Sequence, residues 1–385
     1  MGTKPNLRSF ISAQKRREFL EKELDINLDK IGRINFKESE VVGRNIENLI
    51  GATHIPLGVA GPLLAKSEKR KAKSYFIPLA TTEGALVASV SRGCKAVNES
   101  GGAEVQVELV GATRGSVFTT NGIKQANQAK KWIEDNFKKI AKVAESTSSH
   151  LKLLKIEVAP VGKNLFLRFV YDTQDAMGLN MVTIANTETA EFLEKNLGIE
   201  CISIAGNFDI DKKSAWLNFI QGRGKKVWAE VILKKNVVKS ILKTTPEKIA
   251  EVVYRKCHLG SAMSGSLGFN AHYANVVAAI FAATGQDLAH VVEGSLGITT
   301  AEVLENSDLY FSIYLPALMC GTVGGGTHLP TQQEALNLMN VEDVLEYSMV
   351  LGAAVLAGEL SLLASLAEGS LAKAHQKLGR KQDGR

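Results

Sequence analysis

A chain of 385 residues can bury a large core and form two or three domains. Hydrophobic residues make up 45% of it and charged residues 22%, which is typical of an ordinary globular protein. The net charge of +6 suits an anionic ligand, but only 6% of the residues are aromatic and the basic residues are scattered. We therefore expect phosphorylated small molecules as partners, and not nucleic acid.

The cysteines and the N-terminal residues indicate a cellular compartment. The four cysteines are far apart and form no Cys-x-x-Cys pair, which argues against a zinc site and a disulfide framework and favours a reducing cytoplasm. The N-terminal residues lack the continuous apolar segment of a secretory signal. The longest uncharged stretch towards the C-terminal end, Tyr347–Gly358, is too short to span a bilayer. We expect a soluble cytoplasmic protein without a metal ion and without a membrane partner.

Periodicity and turn residues predict alternating strands and helices in the first third of the chain. Residues 1–37 carry polar, charged helices with weak apolar stripes and suggest a small N-terminal domain. The next predicted elements are loop and short strand in 47–63, a strand at 77–79, a turn at 80–84, a helix from 85 to 101 and a strand at 105–110. Thr81 or Thr82 is the predicted N-cap of that helix, and Glu83 lies in its first turn.

The composition changes after Gly115. The predicted elements there are an amphipathic helix at 125–145, strands at 151–158 and 164–171, a helix at 175–196 and a strand at 200–204. Such an alternation fits a small two-layer α+β unit of the split βαβ type, inserted between the two halves of a larger domain.

The second half of the chain predicts a strand at 227–233 and then a stretch of small residues. Gly260–Gly268 alternates glycine, serine and alanine, so its backbone can closely approach a ligand or another helix. Asn270 is the predicted N-cap and Gly285 the predicted C-cap of the following helix. A last helix, about 341–373, is apolar nearly all round and should be buried.

Several charged and glycine-rich segments are candidates for chemistry. They are Glu83 in the turn TTEG, the run Asp211-Lys212-Lys213, Asp287 in GQD, and His375 behind the last helix. Taken singly, each has a simpler interpretation: a helix-start carboxylate, a solvated turn charge, a helix C-terminal acid or a histidine at a frayed end. Two glycine patterns could hold phosphate groups: DAMGLN (175–180) opens a helix, and GTVGGGT (321–327) is a loop. Neither is a Gly-x-Gly-x-x-Gly in a βαβ unit, so a Rossmann fold is not supported.

Together these motifs resemble the catalytic region of the 3-hydroxy-3-methylglutaryl-CoA (HMG-CoA) reductases. The segments that carry the resemblance are TTEGALVASVSRGCKA, DAMGLNM, DKK ahead of GRG, GSAMSGS with NAHYAN and GQD, and GTVGGGTHLPTQQ. They follow the family's order over nearly all of 47–375. The motif sequences are closer to those of the class I, biosynthetic, NADPH-using branch than to those of class II. The chain is similar to the archaeal or bacterial form without a membrane anchor.

The resemblance implies an architecture. It is an α+β fold with a short helical N-terminal domain (1–37) and a large helix-rich domain that binds substrate and CoA (38–115 and 204–385, with a C-terminal tail). A small ferredoxin-like NADP(H)-binding domain (116–203) is inserted into the large one. The implied partners are HMG-CoA and NADPH, two NADPH per turnover, together with a second copy of the chain. The assembly is a homodimer at least, with a homotetramer left open, and the active site is a cleft shared between two subunits.

The resemblance also implies roles for individual residues. Lys212 would stabilise the oxyanion, Glu83 would donate a proton during aldehyde reduction, and Asp287 would raise the pKa of Glu83 and keep the lysine charged. His375 would protonate the leaving CoA thiolate. The residues expected at the hydroxymethylglutaryl group are Arg114, Asp211, Lys213, Lys256, His272 and Asn275. Those expected at the CoA phosphates are Ser89, Arg92 and Lys95. Those expected at the nicotinamide cofactor are Asp175, Met177, Gly178, Asn180, Gly324, Gly325, Gly326 and Thr327.

Two alternatives remain open. An NAD-linked enzyme of the same fold could oxidise mevalonate, although the class I wording argues against it. A catalytically inactive nucleotide- or CoA-binding protein is the other, and the presence of all four catalytic residue types argues against it.

Overall fold

The N-terminal segment of the structure, a computed structural model that describes residues 7–369, is partly helical. It contains the helix α1 at Ala13–Leu24 and the short helix α2 at Glu38–Val41. The hydroxyl of Ser12 caps α1 by accepting a hydrogen bond from the backbone N–H of Lys15. The prediction of helical structure in this polar segment is confirmed by α1.

Strands and helices alternate through the first half of the described chain. They are β1 (Leu57–Ser67), β2 (Arg70–Ala80), α3 (Leu86–Asn98), β3 (Ala103–Arg114), β4 (Val117–Thr119), α4 (Ile123–Asp135), α5 (Phe137–Glu145), β5 (Lys152–Val161), β6 (Asn164–Asp172), α6 (Leu179–Leu197) and β7 (Glu200–Ser203). The predicted strands at 77–79, 105–110, 151–158, 164–171 and 200–204 are confirmed, although β2, β3 and β5 extend further than predicted, and β2 already begins at Arg70. The helix predicted from residue 175 starts at Leu179, after Gly178 in a left-handed conformation.

The second half continues the alternation with shorter helices. Its elements are α7 (Trp216–Gln221), β8 (Gly224–Leu233), α8 (Lys235–Val237), α9 (Pro246–Val252), α10 (Ser261–Ser264), β9 (Gly268–Phe269), α11 (Tyr273–Thr284), α12 (Val291–Gly294), β10 (Gly297–Val303), β11 (Leu309–Leu318), α13 (Pro330–Met339) and α14 (Val344–Glu368). The strand predicted at 227–233 is confirmed by β8, whereas the hairpin β10–β11 was not predicted from the sequence.

Two sheet regions meet at β3. The larger has the order β9-β10-β11-β8-β3, with β1 parallel to β3 and β2 antiparallel to β1. The smaller has the order β7-β4-β6-β5, and all of its neighbouring strands are antiparallel. The end of β3 pairs with β6 at Ala112–Arg114, so the two regions form one continuous network.

Each region has its own hydrophobic core. In the larger core, α3, α11 and α14 cover the sheet, and Val90, Ile280 and Val355 are completely buried. The second core draws nearly all of its residues from 118–199, on β4 to β6 and the helices α4 to α6. The mixed α+β class predicted from the sequence is confirmed.

The helix α14 is the centre of the larger core. Among residues 7–369 it is the one helix long and apolar enough to cross a membrane by length and composition, but 89% of its most apolar window is buried inside the protein. Gly93 of α3 permits close packing here, because a Cβ at that position would lie 1.9 Å from the carbonyl oxygen of Ala357 in α14. The predicted burial of this helix is confirmed.

The single helix predicted at 125–145 is wrong, because the structure has two helices there. The helix α4 ends and α5 begins around Asn136, whose backbone (φ −109°, ψ 19°) leaves the helical region. Its side-chain amide donates to the carbonyl oxygen of Trp132 at 2.9 Å. This local hydrogen bond competes with the regular helical pattern, a tendency of asparagine that periodicity does not register.

The predicted helix N-caps are also wrong. Ala85, with a φ of 73°, precedes α3, and the Thr81 hydroxyl instead accepts from the N–H of Glu83 at 3.0 Å. His272 is at the N-cap position of α11, although the Asn270 side chain still accepts from the N–H of Tyr273 at 3.2 Å. The C-cap predicted at Gly285 is confirmed, with a φ of 73°.

Candidate active site

Lys212 and Asp287, two of the predicted catalytic residues, form a partly exposed ion pair. The Nζ atom of Lys212 lies 2.7 Å from Oδ2 of Asp287, and both side chains are about two-fifths exposed, at 39% and 41%. The other carboxylate oxygen of Asp287 accepts from the N–H of Ala289 at 3.0 Å. Partial burial alone would raise the pKa of Asp287, but the hydrogen bonds from Lys212 and Ala289 and the charge of His290 hold it below its usual value.

The backbone around Lys212 adopts a left-handed conformation that residues other than glycine rarely adopt. Asn207, Ile210 and Lys212 all have a positive φ, of 63°, 53° and 56°. The amide of Asn218 in α7 donates to the carbonyl oxygen of Ile210 at 3.0 Å and helps to hold the loop. Such backbone strain persists only where the surrounding structure holds it in place. The strained loop sets the direction in which the Lys212 side chain points.

Arg114 and Asp211, both assigned to the substrate by the resemblance, lie in contact beside this loop. The Arg114 guanidinium lies 3.4 Å from Asp211 and 3.6 Å from Asp209. Asp211 also contacts Arg223 at 2.9 Å. Burial raises the pKa of Asp209, and the charges of Arg114 and Arg223 oppose that effect. Lys213 contacts the carbonyl oxygen of Asp211 with its ammonium group at 3.2 Å.

A buried cluster behind the pair was missed by the sequence analysis. Arg223, His290 and Glu293 are all completely buried. Glu293 accepts from Arg223 at 2.5 Å, and one of its oxygens lies 2.7 Å from Nδ1 of His290. Asp287, His290 and Glu293 are each three residues apart, so helical spacing of ionisable residues after GQD is the signal that could have found them.

Three of these side chains have the geometry of a possible cation site. Donor atoms of Asp211, His290 and Glu293 lie within 4.8 Å of one another. The guanidinium of Arg223 already contacts both carboxylates and supplies the positive charge that a metal ion would bring. This donor set therefore does not fit a resident metal.

A second group of predicted residues lines a cavity of about 1000 Å³. Glu83, His272 and Asn275 all face it, together with Ser214, two residues beyond Lys212. Among the described residues that line this cavity, Lys212 and Asp287 are not found. Within one chain, Glu83 thus lines a cavity whose described lining does not include the lysine–aspartate pair.

Part of the small-residue stretch Gly260–Gly268 lines this cavity, and its backbone is not tightly packed. The segment Gly265–Gly268 lines the cavity. A Cβ at Gly260 would come no closer than 3.4 Å to its nearest neighbour, and one at Gly265 would meet nothing within 4 Å. The sequence left open a close approach to a ligand or to another helix, and within this chain Gly265 is open to a ligand and not packed against a helix.

His272 is fixed by a buried carboxylate. Glu359 of α14 is completely buried and accepts from the N–H groups of Ala271 and His272 at 2.6 and 3.0 Å. It also accepts from the Thr299 hydroxyl at 2.8 Å. Burial raises the pKa of Glu359, and the charge of His272 opposes that effect. The Nε2 atom of His272 is buried and has no hydrogen-bond partner in the described chain.

Lys256 lies elsewhere in this structure. It is exposed in the π-helical segment Val253–Gly260 and lines a separate cavity of about 360 Å³ with Glu251 and Arg255. The structure does not bring it to the cavity of Glu83. Its predicted contact with the hydroxymethylglutaryl group stays a prediction.

The three residues predicted to contact CoA phosphates lie on α3. Arg92 donates to the hydroxyl and the carbonyl oxygen of Ser361 in α14, at 3.0 and 2.5 Å. The Ser89 hydroxyl donates to the same Ser361 hydroxyl at 3.0 Å, and Lys95 is exposed. Two of the three thus join α3 to α14 in this structure, and only Lys95 projects freely.

The two glycine patterns predicted on the cofactor side lie together. The carbonyl oxygen of Asp175 accepts from the N–H groups of Thr322 and Val323 at 2.8 and 3.4 Å, and Ala176 pairs with Val323 in a short parallel bridge. A Cβ at Gly321 would lie 2.4 Å from the backbone nitrogen of Met177, so only glycine permits this approach.

Each pattern offers backbone groups to a ligand. Gly178 precedes α6 without a side-chain cap, and Asn180 is exposed in the first turn of that helix. A Cβ at Gly324 or Gly325 would meet nothing within 4 Å. Gly326 packs against Gly285, which is two residues before Asp287, and the buried Thr327 hydroxyl donates to the carbonyl oxygen of Gly324 at 2.7 Å. The loop is therefore open at one end and tied to the Asp287 segment at the other.

His375, the fourth predicted catalytic residue, lies outside the described residues.

The arrangement suggests a class of enzyme. An ammonium group held against a carboxylate can stabilise negative charge on a carbonyl oxygen. Open glycine loops beside an uncapped helix N-terminus can bind phosphate groups. An enzyme that acts on a carbonyl compound and binds a phosphorylated ligand needs both.

The comparison with known proteins identifies the family. The hydroxymethylglutaryl-coenzyme A reductase family model matches residues 12–380, and the chain belongs to this family. The 3-hydroxy-3-methylglutaryl-coenzyme A reductase of Methanocaldococcus jannaschii is 50% identical over 381 residues, covering 97% of this chain and 94% of the relative. The enzyme of the same name from Methanothermobacter thermautotrophicus is 48% identical, with 95% and 92% covered.

More distant proteins share the chain's fold. A Gossypium hirsutum reductase of the same name is 42% identical over 95% of this chain, which spans 60% of the plant protein. The class II HMG-CoA reductase of Streptococcus pneumoniae bound to NADPH in open conformations superposes with a TM-score of 0.70, covering 92% of this chain and 97% of that structure. At 19% sequence identity this likeness shows the fold alone.

Proposed function

We propose that this chain reduces HMG-CoA to mevalonate and CoA, with two NADPH consumed per turnover, as a class I biosynthetic enzyme of its family. The observation that carries the proposal is the Lys212–Asp287 pair, with 2.7 Å between Nζ and Oδ2. Conversion of a thioester to an alcohol places negative charge on the carbonyl oxygen twice, and an oriented ammonium group stabilises it each time. The class I assignment is supported by the sequences of the motifs and by the archaeal relatives.

The residues present fit the cofactor. The joined loops of Asp175 and Gly324 and the uncapped start of α6 present backbone N–H groups where phosphates could lie. When bound, NADPH supplies the hydride for each reduction. Gly178, Asn180 and Gly325 would hold the cofactor, and Asp175 would orient its loop by accepting from the N–H of Val344 at 2.9 Å.

The chain's own groups would then divide the proton chemistry. Lys212 holds the oxyanion, and Asp287 keeps the ammonium charged and oriented. As the carbon–sulfur bond breaks, its electron pair leaves on the CoA sulfur, and His375 protonates the thiolate so that it does not return to the aldehyde. Glu83 supplies the proton to the oxygen as the aldehyde becomes the alcohol.

The lining of the cavity that contains Glu83 supports a site shared between two subunits. Glu83 lines the 1000 Å³ cavity, and Lys212 and Asp287 are absent from its described lining. A reaction that needs both groups at one oxygen could be completed by a second copy of the chain. We therefore infer a homodimer at least, with a tetramer compatible with the same contact.

We also infer the domain organisation expected from the sequence. The strand order β7-β4-β6-β5 and the second core support a small ferredoxin-like cofactor domain near 116–203. The larger core supports a substrate domain built from 38–115 and 204–385, after an N-terminal domain at 1–37. A cytoplasmic location rests on the four unpaired cysteines.

The decisive test is HMG-CoA-dependent oxidation of NADPH by the purified chain, with product analysis. We expect two NADPH to be consumed for each mevalonate formed. Oxidation of mevalonate by NAD at a higher catalytic efficiency would favour the degradative alternative. Binding of CoA or nucleotide without turnover in either direction would refute the enzyme assignment.

A further inference from the structure

The buried cluster behind the lysine–aspartate pair connects the two segments that carry it. The Oε1 atom of Glu293 lies 2.5 Å from Arg223, 2.7 Å from Nδ1 of His290 and 3.4 Å from the backbone nitrogen of Lys212. Glu293 therefore touches the Lys212 loop directly, and through His290 it reaches the turn that begins at Asp287. Complete burial of such groups carries a large desolvation cost, so stability alone does not account for their presence here.

One nitrogen in this cluster has no partner. The Nε2 atom of His290 is buried without a hydrogen bond in the described chain. Its nearest carboxylate atoms are Oδ2 of Asp287 at 3.7 Å and Oδ1 of Asp211 at 4.0 Å. The first of these is the same oxygen that contacts Lys212 at 2.7 Å. With Nδ1 donating to Glu293, a proton on Nε2 would point towards the carboxylates.

Charged groups of both signs surround His290. The carboxylates in contact within this network are Asp209, Asp211, Asp287 and Glu293. The cations are Arg114, Lys212, Arg223 and Lys213, whose ammonium group contacts the backbone of Asp211. The carboxylates of Asp287 and Asp211 face Nε2 of His290, the ring nitrogen that Glu293 does not contact, and so offer acceptors to a proton on that nitrogen.

Given the reductase function proposed above, we propose that His290 is a positioning residue that holds the Asp287 carboxylate from behind through its Nε2–H, while Glu293 fixes the imidazole orientation. A contact of 3.7 Å is longer than a hydrogen bond, but catalytic hydrogen bonds are often long without substrate and shorten in the complex. Asp287 would then lie between two cations, Lys212 in front and His290 behind.

This arrangement has a consequence for the pH dependence. Partial burial raises the pKa of Asp287, and the hydrogen bonds from Lys212 and Ala289 together with the charge of His290 lower it by more. Loss of the histidine charge should raise this pKa towards its usual range. The acid limb of kcat/KM should therefore move to higher pH, because Asp287 would become protonated sooner as the pH falls.

Two substitutions separate the roles of the two ring nitrogens. In His290→Asn the amide can replace Nδ1 and still donate to Glu293, but it cannot reach Asp287. In His290→Gln the amide can replace Nε2 and reach Asp287 without carrying a charge. We expect His290→Asn to lower kcat about 10- to 100-fold, because misplacing a catalytic group by about 1 Å can cost about 100-fold, with KM nearly unchanged. We expect His290→Gln to lose less activity, with its acid limb also shifted to higher pH.

Glu346→Gln is the matched control for a buried charged network. Glu346 is 2% exposed and pairs with Arg70 and Lys73 at the start of α14. It should lower thermal stability and leave the pH profile of kcat/KM unchanged. A shift of the acid limb in both Glu346→Gln and the His290 variants would show a general effect of instability and would overturn the positioning role.

The outcomes distinguish this proposal from the reductase function itself. An unmodified chain without HMG-CoA reduction would refute the reductase function. An active parent with a His290→Asn variant that keeps its kcat and pH profile would refute only the positioning role. If His290→Asn does not fold, the acid limb of His290→Gln decides: a shift to higher pH supports the role, and an unchanged limb overturns it.

Discussion

Replacing Asp287 by asparagine should separate catalysis from stability. The amide has nearly the same size, and its oxygen can still accept from the N–H of Ala289, which Asp287 now contacts at 3.0 Å. What the substitution removes is the charge that holds the Lys212 ammonium at 2.7 Å. The local backbone should therefore persist while the orientation of the lysine is lost.

The expected magnitudes differ sharply. Both side chains are about two-fifths exposed, so solvent screening limits the contribution of the ion pair to the unfolding free energy to about 0–1 kcal/mol. An oriented group that stabilises an oxyanion contributes on the order of 10²–10³ in kcat. Asp287→Asn should thus lose about two to three orders of magnitude in HMG-CoA reduction with almost no change in stability.

The small stability effect has a defined pH dependence. The pKa of Asp287 is lowered in the folded chain, so its contribution is present above the unfolded pKa of about 4 and is lost as the pH falls through the folded value. Urea unfolding of parent and variant should differ slightly at pH 7 and converge in acid. Steady-state NADPH oxidation measures the catalytic effect on the same samples.

Asp308→Asn is a matched control for this experiment. Asp308 pairs with Lys234 at 2.9 Å and accepts from the N–H of Lys235 at 3.0 Å, the same combination of contacts as at Asp287. It lies on the loop between β10 and β11 and should leave kcat within about twofold of the parent. An Asp287→Asn enzyme with parental kcat, or an equal loss in Asp308→Asn, would refute the role given to the pair.

The remaining predictions concern the assembly, the cofactor and the leaving group. Glu83→Gln and Lys212→Ala should each be inactive alone. If the site combines Glu83 of one subunit with Lys212 of another, half of the dimers in an equal co-refolded mixture have one intact site of two, so roughly 25% of parental activity should return. No recovery would contradict the shared site. Initial rates should favour NADPH over NADH, because a basic chain can bind the extra 2′-phosphate, and equal efficiency with both would remove that claim. His375→Gln should lose on the order of 10²–10⁴ in thioester reduction but reduce added mevaldehyde at nearly the parental rate; an equal loss in both reactions would contradict the thiolate role.

The fold was predictable where a local pattern decides the structure. The apolar surface of α14, the strands β5 and β6 and the glycine at the end of α11 follow from periodicity and turn chemistry. The break at Asn136 and the left-handed Ala85 were not predictable in this way, because neither a local side-chain hydrogen bond nor a positive φ at alanine changes the hydrophobic periodicity. The hairpin β10–β11 was missed because its burial is set by β8 beside it, which a sequence window does not contain.

For the candidate site, the sequence proposed individual residues but not their arrangement. Resemblance selected Lys212, Asp287, Arg114 and Asp211, and the structure brings these residues into one charged network. Resemblance gave no indication that Lys256 would lie on a separate surface. The position of a long exposed side chain depends on neighbours far away in sequence, and in a shared site some of those neighbours belong to another chain.

The buried cluster shows what a motif search leaves out. A motif such as GQD marks a residue that contacts substrate. An ionised side chain at a surface also needs contacts with buried groups that hold its orientation. Asp287, His290 and Glu293 follow one another at intervals of three residues, which places their side chains on one side of two consecutive helical turns. Ionisable residues at such intervals after a reactive aspartate are therefore candidates for this support from spacing alone. In this chain that rule selects His290 and Glu293, and the rule fails if the two histidine variants behave alike at every pH.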